Sequence, residues 1–231
     1  IFALGVCLLL AACSEPEGPE PLPPIKEKFT WRLDTIRSPG ASQFVLNHIT
    51  GTGDGAVYLV AMGNAGLRGM LWKYVDSSWT AIELNSKYGG PLTGLVSHLS
   101  DLDADGDHLV WMTGSRRRDT LIPPITTVVY YGFLASYDGQ SFTEIDLRNE
   151  PEMTCLEVVS DRNIWFGGHG PYIYHYNGSH VQKYLLPMDQ IGGLSVNPLR
   201  SIMISEIVYR GDEVFVAGLL SYDEQLGMGM V

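Results

Sequence analysis

The sequence predicts an all-β fold assembled from repeated four-stranded antiparallel units. Three observations carry this expectation. Apolar residues make up 45% of the 231-residue chain, and they fall in short runs separated by Gly, Asp, Asn and Ser. No long stretch places them at i, i+3, i+4 and i+7, so helix should be scarce. The same order of apolar runs and turns returns about every 50 residues, the mark of a repeat architecture with enough apolar side chains to bury a core.

Each unit begins with an apolar strand, near residues 44–50, 95–100, 153–159 and 202–209. Polar turns follow at Asp54-Gly55, Asp105-Gly106, Asp161-Arg162-Asn163 and Arg210-Gly211-Asp212. The second strands each run into a glycine: Tyr58 to Gly63, Leu109 to Gly114, Ile164 to Gly167 and Val214 to Gly218. Three copies of a tight hairpin come next, at Tyr74–Thr80, Tyr137–Thr143 and Tyr176–Gln182. In each, a Tyr precedes a large apolar residue by five positions with turn formers between, which suits a hairpin joining the third and fourth strands. Four short antiparallel strands repeated in this way predict a β-propeller. About three complete blades and a partial fourth are legible, and because propellers close with roughly four to eight blades, the natural chain is expected to continue past Val231.

The third unit, Asp161-Arg162-Asn163-Ile164-Trp165-Phe166-Gly167 running on to Tyr174-His175-Tyr176-Asn177-Gly178, resembles the blade motif of two-component-regulator-type propellers. The other units match it loosely. The resemblance covers about residues 44–218 and implies architecture far more than activity. Ser136 to Phe142 faintly resembles the Asp-box hairpins of sialidases, which are structural in that family; no cluster of substrate-gripping arginines accompanies it. Phe29-Thr30-Trp31-Arg32-Leu33 echoes the outer strands Trp79–Ile82 and Phe142–Ile145 without a blade of its own. It is expected to complete the last blade, since an open ring would leave strand edges unpaired.

The N-terminus divides the chain into 1–12, 13–28 and 29–231, with the propeller in the last segment. Ile1 to Leu10 is an apolar run far shorter than the roughly 20 residues a spanning helix needs, and small residues follow it, as in a signal-peptide core. Leu10-Ala11-Ala12-Cys13 resembles the bacterial lipobox, which implies that Cys13 becomes the acylated first residue of the mature protein. A thioether-linked diacylglycerol, with its two acyl chains, and an amide-linked third chain exceed what stable anchoring requires. No Met and no basic segment precede Ile1, so the chain is expected to begin inside a truncated signal peptide. Ser14 after the cysteine implies sorting to the outer membrane of the cell envelope, periplasmic or surface-facing. Residues 14–28 are rich in Pro and Glu and read as an extended, self-repelling tether.

Of the three cysteines, Cys7 leaves with the signal and Cys13 is acylated, so Cys155 remains alone in an apolar run and reads as a small core residue. The formal net charge of −11 argues against a nucleic-acid partner, which needs a basic stripe. No cofactor is expected, with one possible exception: Asp101-Leu102-Asp103-Ala104-Asp105-Gly106-Asp107 has the D-x-D-x-D-G spacing of calcium loops. Against calcium, Met112 stands where such a loop carries its bidentate Glu, and Asp and Gly suit an inter-strand turn in any case.

None of the six histidines has zinc-ligand spacing. His48, His98, Glu157 and Glu206 all fall in first strands, which normally line a propeller's channel, and they form either a ligand-receiving polar ring or satisfied groups in a wet channel. The second unit carries an insertion, Ser115 to Tyr130, read as a long loop. Its Arg116, Arg117 and Arg118 suit carboxylates or sulfated glycans if they act at all; a short basic run is also what a solvated loop carries.

No nucleophile elbow, phosphate loop or dinucleotide fingerprint appears. Binding is favoured over catalysis: a membrane-anchored module engaging an envelope or extracellular protein or a glycan. The alternative is a carbohydrate-active enzyme with acidic residues converging at the channel, which requires two carboxylates ~5–10 Å apart.

Overall fold

A computed structural model describes residues 35–36, 44–63, 68–84, 92, 95–106, 108–122, 125–187 and 201–221. The chain divides into two compact units, Ile1–Ile36 and Arg37–Val231, and every described strand belongs to the second. Cys13, the tether and the Phe29–Leu33 strand expectation lie outside the described residues.

The second unit is all-β, with no helix among the described residues. Its first sheet runs in the order β1 (Phe44–Gly51), β2 (Val57–Gly63), β3 (Arg68–Val75), β4 (Ser78–Ile82). The second follows as β5 (Leu95–Ala104), β6 (Val110–Ile122), β7 (Ile125–Tyr137) and β8 (Phe142–Ile145). The third holds β9 (Met153–Ser160), β10 (Asn163–Gly168), β11 (Tyr172–Tyr176) and β12 (Val181–Leu185), and the fourth pairs β13 (Ser201–Arg210) with β14 (Glu213–Ser221). All pairings are antiparallel and link neighbours in sequence, as the repeat predicts.

The five-residue Tyr spacing is a cross-strand pair. Tyr74 lies opposite Trp79, Tyr137 opposite Phe142 and Tyr176 opposite Val181. Ring centroids of the first two pairs are 5.1 and 4.5 Å apart, within the range where aromatic pairs add stability beyond burial. The turns are set by local chemistry. Asp76 and Ser77 both take positive φ, 50° and 65°, as a two-residue hairpin matching strand twist requires. In the other two hairpins an acceptor at the first turn position does the work: Asp138 accepts the Gln140 and Ser141 N–H, and Asn177 those of Ser179 and His180.

The strands read as nearly continuous apolar runs because the middle sheets are covered on both faces. On β6, Val110 and Met112 join the core shared with Tyr58, Val60 and Leu71 of the first sheet, while Trp111 points the other way, towards Ile164, Phe166 and Tyr174 of the third. On β10, Trp165 alternates likewise and packs with Ile204 and Ile207 of the fourth sheet around Cys155. Side chains at successive positions of a strand project to opposite faces, so the second and third sheets each pack on two neighbours. Cys155 is buried, its thiol pushed up to about 12 by desolvation, which makes it the inert core residue its surroundings suggest.

The Ser115–Tyr130 insertion differs from expectation. Instead of a loop, it prolongs β6 and β7 into a hairpin arm. β5 accompanies β6 only as far as Arg117, and β8 accompanies β7 only down to Leu134, yet β6 and β7 stay paired without a break to Ile122 and Ile125. The β-branched run Ile125–Val129 explains the outcome, since such residues suit a pleated strand even where sheet neighbours end.

Candidate functional site

The first strands of successive sheets lie side by side and are joined by polar side chains rather than by a backbone ladder. Asn47 Nδ2 of β1 donates to the Leu99 carbonyl of β5 at 2.5 Å. Asp101 Oδ2 and Asp103 Oδ2 of β5 accept the Leu156 and Val158 N–H of β9, at 2.8 and 2.9 Å. Glu157 Oε1 of β9 accepts the Tyr209 N–H of β13 at 3.3 Å. The backbone groups joined in this way, the Leu99 carbonyl and the Leu156, Val158 and Tyr209 N–H, lie on strand edges, and an unpaired buried N–H costs about 1–3 kcal/mol.

This arrangement places the sequence-selected residues. Asp101 and Asp103 sit within β5, not in a turn as expected, because the strand continues to Ala104. Their second oxygens accept the N–H of Leu102 and Ala104, so both carboxylates are held by two backbone donors. Asp105 follows the strand and Asp107 lies outside the described residues. Among the described residues, no three His, Cys, Asp or Glu side chains are grouped to hold a metal ion. Arg116 is 3% exposed; one nitrogen pairs with Glu144, and the guanidinium stacks over Phe133 at 4.8 Å. The expectation of three exposed arginines therefore fails at Arg116, which alternation turns into the core. Arg117 is partly buried on the other face, and nothing is described of the Arg118 side chain.

The proposed polar ring divides in two. His48 Nδ1 pairs with Asp101, and Glu206 of β13 is near enough to act on it electrostatically. Glu157 is held by Tyr209, and burial pushes its carboxyl above the usual range. His98 is turned elsewhere. A bulge between Val96 and His98 re-aims its ring, whose Nδ1 lies 2.9 Å from Glu152 Oε1. Nε2 receives the other amide hydrogen of Asn47, at 3.2 Å, so the geometry fits the tautomer with the proton on Nδ1.

His98 and Glu152 line a cleft of about 200 Å³ together with Met62, Ser97, Ser115 and Tyr130. The volume is below the ~300 Å³ at which drug-sized ligands begin, and suits one side chain or one sugar ring. Hydrogen bonding from His98 holds the Glu152 carboxyl below its ordinary range, so the cleft contains a carboxylate at neutral pH. Ser97 and Ser115, both buried, contact each other at 3.1 Å through their hydroxyls. Tyr130 comes from the arm and is 43% exposed, which places the arm's base at the rim. Of these six residues only His98 was selected from sequence; Glu152 lies in a connection, 54 positions from His98, and no local spacing marks the convergence.

The His48 pair yields a pH prediction. Its hydrogen bond to Asp101, supported by Asp103 and Glu206 and opposed by burial, raises the His48 pKa above 6.5. A raised folded-state value stabilises the fold fully below the unfolded pKa and is lost as pH climbs through the folded one. Melting temperature should therefore fall as pH rises from about 6.5, and His48→Gln should flatten that decline. An equal slope in the variant would show that His48 carries none of it. The ring is half exposed, so the effect is a modest one.

No family model, no curated protein and no solved structure matches this chain.

Proposed function

We propose that this protein is a binding module held at the bacterial envelope by an acylated Cys13, with its sheets serving as blades of a β-propeller and its ligand taken up where the β6–β7 arm meets the His98–Glu152 cleft. The carrying observation is that cleft: a half-buried carboxylate, oriented by an imidazole that is itself oriented by Asn47, opens beside an exposed tyrosine on a projecting arm. Oriented polar groups beside an apolar rim are how compact sites obtain specificity. Sequential sheets joined at their first strands support the blade reading, and the apolar run ending in Leu10-Ala11-Ala12-Cys13 supports the anchor.

Catalysis on glycans is the weaker reading. Of the acidic residues that the first strands supply, Asp101, Asp103 and Glu157 accept backbone N–H groups and Glu206 acts on His48, while Glu150 is engaged by Tyr174 and Lys183. A glycosidase needs a free pair of carboxylates facing one cavity, and the cleft described here is lined by one carboxylate, Glu152.

Isothermal titration of the full chain against short peptides and oligosaccharides tests the proposal. Saturable binding without product is expected, and Glu152→Gln should weaken it about 10- to 100-fold, the worth of a hydrogen bond to a charged group. Turnover of an oligosaccharide, or undiminished binding by the variant, would overturn it.

A further inference from the structure

Among the described residues, the arm has an open edge. Gly132 N donates to the Glu150 carbonyl at 2.8 Å, so its N–H points away from β6. In an antiparallel ladder successive residues alternate between facing the partner and facing out, and the β6–β7 register runs unbroken from Val110↔Tyr137 to Ile122↔Ile125. Tyr130, Val128 and Thr126 therefore present their N–H and C=O groups outward as Gly132 does. Leu134 is met by β8 and Gly132 by Glu150; beyond them no described strand pairs with this edge. Val128 and Tyr130 are 38% and 43% exposed, as an uncovered edge requires.

Such a row of outward donors and acceptors, recurring at every second residue, recognises one thing well, another extended polypeptide backbone seated about 4.7–4.9 Å away. Sugars offer no matching periodic alternation of donors and acceptors. The edge also leads into the cleft, because Tyr130 belongs to both. A strand added along Thr126–Tyr130 would lie end to end with the Glu150 segment and bring a side chain to Glu152. The cleft volume suits one long side chain, its carboxylate and the net charge of −11 favour a cation, and Met62 and Tyr130 offer apolar surface to an aliphatic stem.

We propose that the open edge of β7 at Thr126, Val128 and Tyr130 pairs with an extended segment of a partner protein, one basic side chain of which enters the His98–Glu152 cleft. The inference rests on the binding reading above and names its ligand class. Proline gives a selective test. At an outward-facing position it removes a donor that β6 does not use, so Val128→Pro and Thr126→Pro leave the hairpin ladder intact while blocking strand addition.

The probes are N-acetylated octapeptide amides alternating Val with Thr or Ser, carrying one Lys scanned through the positions, with norleucine counterparts, and chitohexaose as the glycan. With the full chain, Lys peptides should bind in preference to norleucine peptides, and each proline variant should weaken them at least tenfold without moving the melting temperature. Glu152→Gln should erase the preference for Lys while retaining the norleucine-level binding. Peptide binding unchanged in both folded proline variants would overturn strand addition, and an unchanged Lys preference in Glu152→Gln would overturn the cationic pocket. Chitohexaose binding with silent peptides would overturn the peptide inference and leave the binding module standing. Silence from both probes would overturn both.

Discussion

Gly168→Ala is expected to lower the melting temperature by about 6–12 °C, the equivalent of roughly 3 kcal/mol in a domain of this size. A Cβ at Gly168 would stand 2.0 Å from the Glu152 carbonyl oxygen and 2.6 Å from the Met153 Cα. Gly114 occupies the matching place in the second sheet, where a Cβ would stand 2.1 Å from the His98 carbonyl oxygen. Both obstacles are backbone and cannot rotate aside, so relief requires the first strand to separate from the second. The register shifts between Gly167 and Gly168, and opposite Gly114 where β5 passes from Leu99 to Asp101, which shows why the approach is so close: the first strand bulges over the glycine. Gly51→Ala is the control, since its nearest contact is 3.9 Å away and its φ is not positive. Calorimetry on the three variants decides the matter; Gly168→Ala and Gly114→Ala melting with Gly51→Ala would refute the crowding argument.

The same crowding couples fold to site. The segment that Gly168 admits is the one that carries Glu152, and the His169 N–H donates to the Glu152 carbonyl at 3.0 Å. Displacing it moves the carboxylate that lines the cleft. This connection also shows what the sequence could reveal. A glycine recurring in each second strand was visible as a repeated letter, and so were the Tyr hairpins, because both arise from contacts between neighbouring strands. Strand order and turn positions followed from them. Convergence between sheets was not visible. His98 and Glu152 meet because a bulge in β5 turns one towards the connection that holds the other, and neither the bulge nor the connection leaves a spacing.

Two misreadings have definite causes. The run from Ser115 to Tyr130 looked like a loop because three arginines, an aspartate and Pro123-Pro124 interrupt it, while its second half is a β-branched strand that needs no sheet on its far side. Asp101 and Asp103 looked like turn carboxylates because Gly106 follows them. In a strand they are tolerated only where something donates to them, and that something is the backbone of the neighbouring sheet. A chain that joins its sheets through acidic side chains accumulates aspartates at its first strands for structural reasons, and these imitate a ligand set when read in one dimension.

Cys13→Ser is expected to abolish lipid attachment altogether, the largest effect anticipated for a single substitution here. On the proposed lipoprotein reading, the apolar run Ile1 to Leu10 and the small residues before Cys13 would direct cleavage and thioether formation at that thiol, and a serine hydroxyl cannot form the thioether. Each methylene buried by an acyl chain contributes about 0.8 kcal/mol, so three such chains would hold the protein far beyond the reach of salt. A high-salt wash screens charge over about 3 Å at 1 M and would strip a protein held only electrostatically. An acidic protein with the Pro- and Glu-rich sequence 14–28 has little electrostatic attraction to an anionic membrane in any case. The parent, expressed in bacteria behind a supplied signal peptide, should therefore partition into detergent, resist the wash and take up a palmitate analogue, whereas the variant should remain unlabelled and soluble or uncleaved. A parent without label, or a serine variant labelled as strongly, would remove the anchor from the proposed function and leave the cleft and the arm to be explained as parts of a freely diffusing protein.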